Sequence, residues 1–408
     1  MSQRLRRSLF AAAGVGLALR LAFALGYWVD KPLTRDELEY LSLARSIAHG
    51  QGVTYDAALN EGSVIPFGRA PGYPTFLALV GGGRTVSAVV PTAVKVAQSI
   101  VGALTVLLFG MFAARLAGPR AGMAAGWIAA AYPPLVWMCS YALSEVVYVP
   151  VGLVTILLFD RIPESHAPGA TVRASISGLV AGLGLLLRAA MTSFVPLALV
   201  WLVWRRGRRA AMGFAIGVAM VVLPWTARNY AVYHRFVLIA SDGGVTLWTG
   251  NNPLARGEGD QAANPELKAA NQQLRSAHPG LTEEAMEPVY YNAATTWIRA
   301  HPLDWIGLEG RKLFYMVVPI GPSYTVHSRA YYGASLASYL TLLPFGVYGF
   351  VRLGRRAGAT PGLWLLLLSS VGVCLVFFPQ ERFRLPVIDP VLIVGAAAAV
   401  ARIRERAS

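Results

Sequence analysis

Two short stretches in the first quarter of the chain carry the ionisable side chains best suited to chemistry. Asp36 and Glu37 lie in the first stretch, 34–37, and Arg69 opens the second, 69–74. A carboxylate can remove a proton from a substrate, and the planar guanidinium of an arginine can bind an anion through two hydrogen bonds. Because the surrounding chain is mostly apolar, ionisable groups here indicate catalysis or transport.

The first stretch has the signature of a helix start. Thr34 and Glu37 have the spacing of a capping box, in which Glu37 reaches back to the backbone of Thr34. An apolar face continues from Leu38 to Ala48 and predicts a helix. Glu37 therefore has a structural role available, whereas Asp36 is freer to face a substrate. The alternative for Asp36 is a first-turn acid that complements the helix dipole, which weakens it as a base unless burial offsets the effect.

The second stretch combines a cation with a rigid turn. Arg69 precedes the turn-rich element 71–74, which contains two prolines and a glycine. The predicted topology places Arg69 on the same side of the membrane as the first stretch. The alternative for Arg69 is an interfacial side chain whose stem lies along apolar surface while its charge reaches water.

The composition of the whole chain is that of a membrane protein. Of its 408 residues, 55% are hydrophobic and 14% are charged, whereas an ordinary soluble domain carries roughly 25% charge. Apolar runs recur from end to end, with the length of about 20 residues that an α-helix needs to cross a bilayer. The net charge of +15 comes largely from arginines in short connectors between these runs. This is the pattern of cytoplasmic loops and does not indicate nucleic-acid binding.

The apolar runs predict a polytopic α-helical protein. The basic connectors place both termini in the cytoplasm, and the first run is too long for a simple signal peptide, so we expect a retained anchor. The segment 174–204 is long for one pass, and we expect two short or kinked helices that meet near Ala190. The ten predicted spans are 8–28, 91–114, 121–139, 142–160, 174–190, 192–204, 210–227, 330–351, 362–378 and 386–401.

Two long segments remain on the non-cytoplasmic side. The first loop is 29–90 and the large loop is 228–329. Helical patterns occur in the large loop near 264–276 and 282–300, and the pattern over 303–318 predicts a helix that lies on the membrane surface. The chain is expected to have three parts, namely an N-terminal membrane region with the first loop (1–227), the large loop (228–329) and the C-terminal membrane helices (330–408).

Other familiar signatures are missing from the sequence. The two cysteines suggest neither a disulfide framework nor a thiolate metal site, and the histidines are scattered without the spacing of metal ligands. There is no phosphate-binding P-loop and no dinucleotide fingerprint, so we expect no metal and no other cofactor. Three GxxxG pairs predict close helix packing: Gly122 with Gly126, Gly178 with Gly182, and Gly213 with Gly217.

Seven short motifs, taken in chain order, resemble those of GT-C-fold glycosyltransferases of the family 39-like group. This group includes protein O-mannosyltransferases and lipid A aminoarabinose transferases. The motifs extend over about 20–395, which is most of the chain. They are Asp36-Glu37 with Tyr40, Arg69-Ala70-Pro71-Gly72-Tyr73-Pro74, Ser144-Glu145, Leu187-Arg188, Pro224-Trp225-Thr226-Ala227-Arg228-Asn229-Tyr230, Gly250-Asn251-Asn252-Pro253 and Arg382-Phe383-Arg384-Leu385-Pro386.

The resemblance implies an all-α GT-C-like fold with about 10 transmembrane helices, a large first outer loop and an α-rich outer segment. It implies transfer of a monosaccharide, a hexose or a pentose, from a polyprenyl-phosphate carrier, with inversion at the anomeric carbon. The acceptor would be a lipid, a glycan or a protein on the non-cytoplasmic face of a bacterial inner membrane. The aminoarabinose group has Lys before Pro-Pro where this chain has Arg69 before Ala-Pro, which leaves the sugar and the acceptor open.

The resemblance also suggests roles for individual residues. Asp36 would be the general base, and Glu145 a second acid at the outer end of the fourth span. A transition state with a departing phosphate needs fixed cations, for which arginine is well suited. The residues expected to bind substrate are Glu37, Arg69, Tyr73, Arg188, Asn251, Arg382 and Arg384.

Each assignment has a structural alternative. Glu145 could cap its helix or pair with an arginine, and Arg188 could form an ion pair with Glu145 instead of binding phosphate. Arg382 and Arg384 could be interface anchors, and Asn251 could serve only a turn. A transporter or flippase of lipid-linked sugars is the rival function, and it predicts acids and helix breaks at paired mid-membrane positions. A non-catalytic assembly subunit is a second rival, and it would tolerate Asp36→Asn.

Overall fold

The computed structural model describes residues 1–55, 68–259, 261, 263–319, 328–354 and 360–407, and this part of the chain is α-helical without strands. The helices are α1 Gln3–Ala22, α2 Arg35–Ala48, α3 Gly72–Leu79, α4 Thr92–Ala117, α5 Pro119–Ala131, α6 Pro133–Trp137, α7 Glu145–Phe159, α8 Ala170–Leu187, α9 Phe194–Arg205, α10 Arg208–Tyr233, α11 Gly243–Gly250, α12 Pro265–Ser276, α13 Glu283–Ala300, α14 Pro302–Val317, α15 Arg329–Gly354, α16 Pro361–Val376, α17 Glu381–Arg384 and α18 Ile388–Ala407.

The chain is a multi-pass membrane protein. Within the described residues, five helices are long and apolar enough to cross a bilayer, and three shorter apolar helices accompany them. The five are Gln3–Tyr27, Thr92–Ala117, Ala170–Leu187, Arg208–Tyr233 and Arg329–Gly354. The total of ten spans stays a prediction.

The third predicted span, 121–139, is not one continuous helix. Helix α5 ends at Ala131, and Tyr132 takes an extended conformation before α6 begins at Pro133. Pro133 and Pro134 follow each other, and a proline has no amide hydrogen and disfavours helical geometry in the residue before it. The two prolines therefore cause the break. The prediction of one continuous span rested on the apolar composition of 121–139 and did not consider them.

The segment 174–204 does consist of two helices, as predicted. Helix α8 ends at Leu187, Arg188 is extended with φ −156° and ψ 123°, and a 3₁₀ turn over Ala189–Ser193 leads into α9. The break begins at Arg188, two residues before the predicted position. Arg188 is consequently released from the helix and can reach groups beyond it.

The glycine pairs pack helices closely, as the GxxxG spacing predicts. A Cβ on Gly178 in α8 would collide with the carbonyl oxygen of Phe214 in α10. A Cβ on Gly217 in α10 would collide with the carbonyl oxygen of Ser175 in α8. The absence of side chains on both faces allows the two backbones to touch.

A buried arginine in α1 is paired with backbone carbonyls. Arg20 is only 1% exposed, and it donates hydrogen bonds to the carbonyl oxygens of Ala129 and Ala130 at 3.1 and 3.3 Å and of Gly16 at 2.9 Å. Ala129 and Ala130 lie in the last turn of α5, where carbonyls lack helical partners. Arg20 therefore stabilises the end of α5 inside the apolar core.

The two loops contact each other at one end of the helix bundle. Helices α2 and α3 of the first loop pack together, and the amide of Ser241 in the large loop donates to the carbonyl oxygen of Gly68 at 2.6 Å. Helices α11, α12 and α13 share a small core that includes Trp248 and Tyr290. The helices predicted at 264–276, 282–300 and 303–318 agree with α12, α13 and α14 to within one residue at each end.

Candidate active site

Three distant parts of the chain contribute charged groups to one network. The carboxylate of Asp36 accepts a hydrogen bond from Arg69, with 2.5 Å between Oδ1 and Nη2. Its other oxygen, Oδ2, lies 2.5 Å from Nη2 of Arg382. Asp36 is thus held on both sides by arginines that lie in different segments. All three side chains remain partly exposed, between 21% and 29%.

A second carboxylate completes the network. Glu145 Oε1 accepts a hydrogen bond from Arg188 Nη1 at 2.7 Å and lies 3.9 Å from Arg382 Nε. Arg188 also donates to the hydroxyl of Ser144 at 3.2 Å. The guanidinium of Arg382 therefore contacts both Asp36 and Glu145, and it joins the two carboxylates. We name Asp36, Arg69, Glu145, Arg188 and Arg382 the charged network.

The capping box places Asp36 in the network. Thr34 and Glu37 exchange hydrogen bonds that start α2, with the Thr34 amide 2.8 Å from Glu37 Oε2. The other carboxylate oxygen of Glu37 accepts from the amide of Ala142 at 2.8 Å. Glu37 thereby fixes α2 against the residues just before α7, and Asp36 lies one residue earlier in the same first turn.

Arg69 has partners that the sequence interpretation missed. Glu39 accepts a hydrogen bond from Arg69 Nε at 2.6 Å, and the guanidinium lies 4.9 Å from the centroid of the Tyr40 ring. Asp36, Glu39 and Tyr40 have the i, i+3 and i+4 spacing of one helix face. This spacing was the signal that could have identified Glu39.

Arg188 and Arg382 share an aromatic neighbour. Arg188 leaves the end of α8 at the helix break, and Arg382 lies in the short helix α17. The ring of Phe383 has its centroid 4.6 Å from Cζ of Arg188 and 5.2 Å from Cζ of Arg382. Such cation–π contacts keep planar guanidinium groups oriented. Phe383 lies inside a motif, but neither its residue type nor its spacing predicted these contacts with two arginines.

The electrostatics favour an ionised Asp36. Burial alone would raise its pKa, but the positive charges of Arg382 and Arg69 outweigh burial and hold the pKa well below its usual value. Asp36 could be a strong base only if burial raised its pKa enough to offset the helix dipole. The net lowering of its pKa shows that this condition is not met. Asp36 becomes a better base only when the arginines turn to another anion.

A further carboxyl group lies close to the charged network. Asp242 directly precedes α11, within electrostatic range of Arg69, Glu39 and Asp36. Burial raises the pKa of Asp242, the charge of Arg69 lowers it, and the two carboxylates raise it again. Glu287 from α13 takes the place of a capping residue by accepting a hydrogen bond from the Gly244 amide at 2.8 Å. The sequence did not predict that Asp242 lies near the site, because the sequence Asp-Gly-Gly indicates only a turn.

Two predicted substrate-binding residues are buried and bonded to protein groups. Glu37 is 2% exposed and both of its carboxylate oxygens are bonded. Tyr73 is 0% exposed, donates to Gln98 Oε1 at 2.7 Å and packs edge-on against Tyr40. Both side chains are bonded to protein groups in the structure, and their roles in substrate binding stay predictions. Their motifs serve to attach the first loop to the helix bundle.

Two more predicted residues lie outside the charged network. Asn251 is 1% exposed, and its side-chain amide donates to the carbonyl oxygens of Leu247 and Val376. Arg384 is 3% exposed and pairs with Asp389 at 3.2 Å. Both side chains bond to protein groups that are buried with them, and their roles in substrate binding stay predictions. In the part of the chain that the structure describes, no group of three or more His, Cys, Asp or Glu residues could hold a metal ion.

Comparison with known proteins identifies the fold. No family profile matches the chain, and no curated protein matches its sequence. A structure of the archaeal oligosaccharyltransferase AglB from Archaeoglobus fulgidus, in complex with an inhibitory peptide and a dolichol-phosphate, has 16% identity and a TM-score of 0.60 over 99% of this chain and 51% of that chain. A second structure of the Archaeoglobus fulgidus oligosaccharyltransferase, tethered with an acceptor peptide, has 15% identity and a TM-score of 0.61 over 100% and 50%.

These similar structures are GT-C-fold glycosyltransferases, so the GT-C-like fold that the motifs implied is confirmed. The chain spans about half the length of the archaeal proteins that it matches. At this level of identity the likeness defines the class of fold.

Proposed function

We propose that this protein is a membrane glycosyltransferase that moves a monosaccharide from a polyprenyl-phosphate carrier to an acceptor hydroxyl. The observation that carries the proposal is a single carboxylate, Asp36, held between two arginines in a GT-C-like fold. A base beside fixed cations is what transfer from a lipid phosphate requires. The dolichol-phosphate in the similar archaeal structure supports a carrier of this chemical class.

The reaction balances with the residues of the charged network. Asp36 takes the proton of the acceptor hydroxyl while the acceptor oxygen forms a bond to the anomeric carbon. The bond between that carbon and the phosphate oxygen breaks, and its electron pair stays on the phosphate, with inversion at the sugar. The sugar passes through an oxocarbenium-like state. Arg69, Arg382 and Arg188 stabilise the charge that the departing phosphate gains.

Arg69 and Arg382 serve the base and the phosphate in turn. In the structure both guanidinium groups are bonded to Asp36. A donor phosphodiester carries one negative charge and competes for these bonds. As Asp36 accepts a proton its own charge disappears, while the phosphate becomes a dianion. The negative charge facing the arginines is therefore conserved, and it moves from the base to the leaving group.

Glu145 acts on the arginines in this scheme. It is 1% exposed and bonded to Arg188, with Arg382 close by. A carboxylate in this position holds both guanidinium groups toward the phosphate. We therefore propose a positioning role for Glu145, narrower than the second catalytic acid that the resemblance implied.

The remaining parts of the proposal concern sidedness and substrates. The active site faces the non-cytoplasmic side of a bacterial inner membrane, with both termini in the cytoplasm. The sugar is a hexose or a pentose, and the acceptor is a lipid, a glycan or a protein. The three arginines supply the positive charge at the phosphate, so the proposal requires no divalent cation.

The charged network favours an enzyme over a transporter. Asp36, Arg188 and Arg382 come from a loop helix, a helix break and a short connecting helix, all gathered at the end of the bundle that carries the first loop. A transporter or flippase would instead need ionisable groups at paired mid-membrane positions.

A reconstitution experiment tests the proposed function. The purified protein is supplied with polyprenyl-phosphate sugars and with a membrane extract as the source of lipid, glycan and protein acceptors. Release of polyprenyl phosphate is then measured for wild type, Asp36→Asn and Asp304→Asn. Asp304 lies in α14 with a side chain that is 75% exposed, and it is the matched control. Wild type and Asp304→Asn should release carrier phosphate, and Asp36→Asn should not. Equal turnover by all three proteins would show that Asp36 is not the base.

A further inference from the structure

Helix α14 buries one lysine completely. The sequence predicts that this amphipathic helix lies on the membrane surface, yet Lys312 is 0% exposed. Its ammonium group donates three hydrogen bonds, to Glu309 Oε1 at 2.6 Å, to the carbonyl oxygen of Leu375 at 2.7 Å and to Asn251 Oδ1 at 2.9 Å. Burying a charge is costly unless all of its donors are satisfied, as they are here.

Lys312 and Asn251 together bind the end of α16. The side-chain amide of Asn251 donates to the carbonyl oxygen of Val376 at 2.8 Å, next to the Leu375 carbonyl that Lys312 binds. The last carbonyls of a helix have no partner within the helix. Asn251 Oδ1 also accepts from Trp305 Nε1 at 3.1 Å, which ties the large loop to the same point.

The backbone of the large loop contacts the next residue of the chain. A Cβ on Gly250 would collide with the carbonyl oxygen of Phe377, so only a glycine allows this approach. Lys312, Asn251 and Gly250 therefore contact, in that order, the three successive carbonyls of Leu375, Val376 and Phe377. We name these three residues of the large loop the α16 clamp.

The clamped segment leads directly to Arg382. Phe378 stacks on Phe383 with 5.9 Å between ring centroids, and Gln380 Oε1 accepts a hydrogen bond from Arg382 Nε at 3.0 Å. Arg382 then contacts Asp36 and Glu145. The start of this short connection is fixed by the α16 clamp and its end lies in the charged network, so a shift at the start displaces the guanidinium.

We propose that Lys312 is a positioning residue, which sets Arg382 against Asp36 and the carrier phosphate by holding the end of α16. This inference rests on the proposed function. A methionine would fill the space of the lysine stem, but it could not donate to the Leu375 carbonyl or to Asn251. Displacing a catalytic group by about 1 Å can cost on the order of 100-fold in rate.

The charge of Lys312 provides a signature that packing alone would not give. Burial lowers the pKa of Lys312, and the hydrogen bond and charge of Glu309 raise it. Glu309 on α14 and Cys374 on α16 are the titratable groups that act on it. A deprotonated lysine has one donor fewer for its three acceptors, so activity should decline at alkaline pH. Arginine stays protonated throughout and should remove this decline.

A double-mutant cycle tests whether Lys312 acts through Arg382. The variants are Lys312→Met, Arg382→Gln, the double variant and the control Lys268→Met, in which an exposed lysine of α12 is changed. Lys312→Met should lower kcat about 10- to 100-fold in the wild-type background and have almost no effect in the Arg382→Gln background. Fully additive effects, or equal effects of Lys312→Met and Lys268→Met, would overturn the inference.

Two further measurements keep the result decisive. Binding of a polyprenyl phosphate to the same variants in lipid nanodiscs requires no sugar transfer, so a failure of the proposed function does not obscure it. Lys312→Met should weaken this binding in the wild-type background and leave it unchanged in the Arg382→Gln background. If Lys312→Met does not fold, Lys312→Arg should keep most of the activity and lose the alkaline decline. An unchanged alkaline decline in that variant would contradict the inference.

Discussion

Arg382 and Arg384 lie two residues apart in the same short helix, and their surroundings differ sharply. Arg382 is 29% exposed and contacts Asp36 and Glu145, which lie far away in sequence. Arg384 is 3% exposed, pairs with Asp389 five residues later and has its guanidinium 3.8 Å from the centroid of the Tyr339 ring. An arginine with solvent access can exchange a protein partner for a ligand, whereas a buried pair is retained as part of the core. Exposure and partner, not residue type, separate the two roles.

Between these two arginines, the larger effect on activity is expected from Arg382. Arg382→Gln removes a cation from the departing phosphate, so kcat should fall roughly 10²–10³-fold. The melting temperature should fall only slightly, because ion pairs of partly exposed side chains contribute little to the free energy of unfolding. Carrier-phosphate release and thermal unfolding, measured on the same preparation, check both parts. A variant that keeps its activity would show that Arg382 does not act on the phosphate.

The largest effect on stability is expected from Arg384. Arg384→Met leaves the carboxylate of Asp389 buried at 0% exposure, with the hydroxyl of Tyr132 as a remaining partner at 3.0 Å. Removing one partner of a buried ion pair costs about 3–5 kcal/mol. The free energy of unfolding should fall by this amount, and Asp389→Asn in the same chain should restore part of it. If Arg384→Met is as stable as wild type and inactive, the division between the two arginines is wrong.

A smaller effect is expected on the pH dependence of the reaction. The pKa of Asp36 is depressed in the folded protein, so its ion pairs stabilise the fold above the pKa of the unfolded chain. This contribution is lost as the pH falls through the depressed value. Arg69→Gln removes one of the two cations and should raise the pKa of Asp36, which moves the acid limb of kcat/KM to higher pH. Arg256→Gln, at a side chain that is 50% exposed and paired with Glu266, should leave the limb unchanged, and an equal shift in both variants would refute the assignment.

The smallest effect is expected from removing metal ions. Because Arg69, Arg188 and Arg382 supply the charge at the phosphate in the proposed reaction, EDTA should change the rate of carrier-phosphate release by less than about twofold, far below the effect of losing one arginine. Loss of activity with EDTA, and its recovery with a divalent cation, would show that the arginines are insufficient.

The sequence predicted features that depend on neighbouring residues. The capping box of Thr34 and Glu37 predicted where α2 starts. It also predicted that Glu37 has a structural role, which leaves Asp36 available for a substrate. The length of 174–204 predicted a helix break, which places Arg188 outside α8. Such signals are local, because backbone hydrogen bonds and helix ends are decided within one or two turns.

Features that depend on the approach of distant segments were missed. The partner of Asp36 at Arg382 lies hundreds of residues away, and no spacing rule connects the two. Lys312 lies on an amphipathic helix whose pattern predicts a surface position, yet the end of α16 covers it. Both Arg382 and Arg384 belong to the same motif, so the motif could not predict that one is partly exposed and the other buried. Burial depends on how the whole molecule packs. The break before Pro133 is different, since two consecutive prolines were a local signal that could have been used.

The most direct test is the affinity of wild type and Asp36→Asn for a polyprenyl phosphate in nanodiscs, with sugar transfer measured in parallel. If Arg69 and Arg382 are shared between Asp36 and the phosphate, then Asp36→Asn removes the competing charge. The variant should bind polyprenyl phosphate about 10-fold more tightly, the equivalent of one charge-assisted hydrogen bond, and should transfer no sugar. Equal or weaker binding by Asp36→Asn, or transfer at the wild-type rate, would contradict this account.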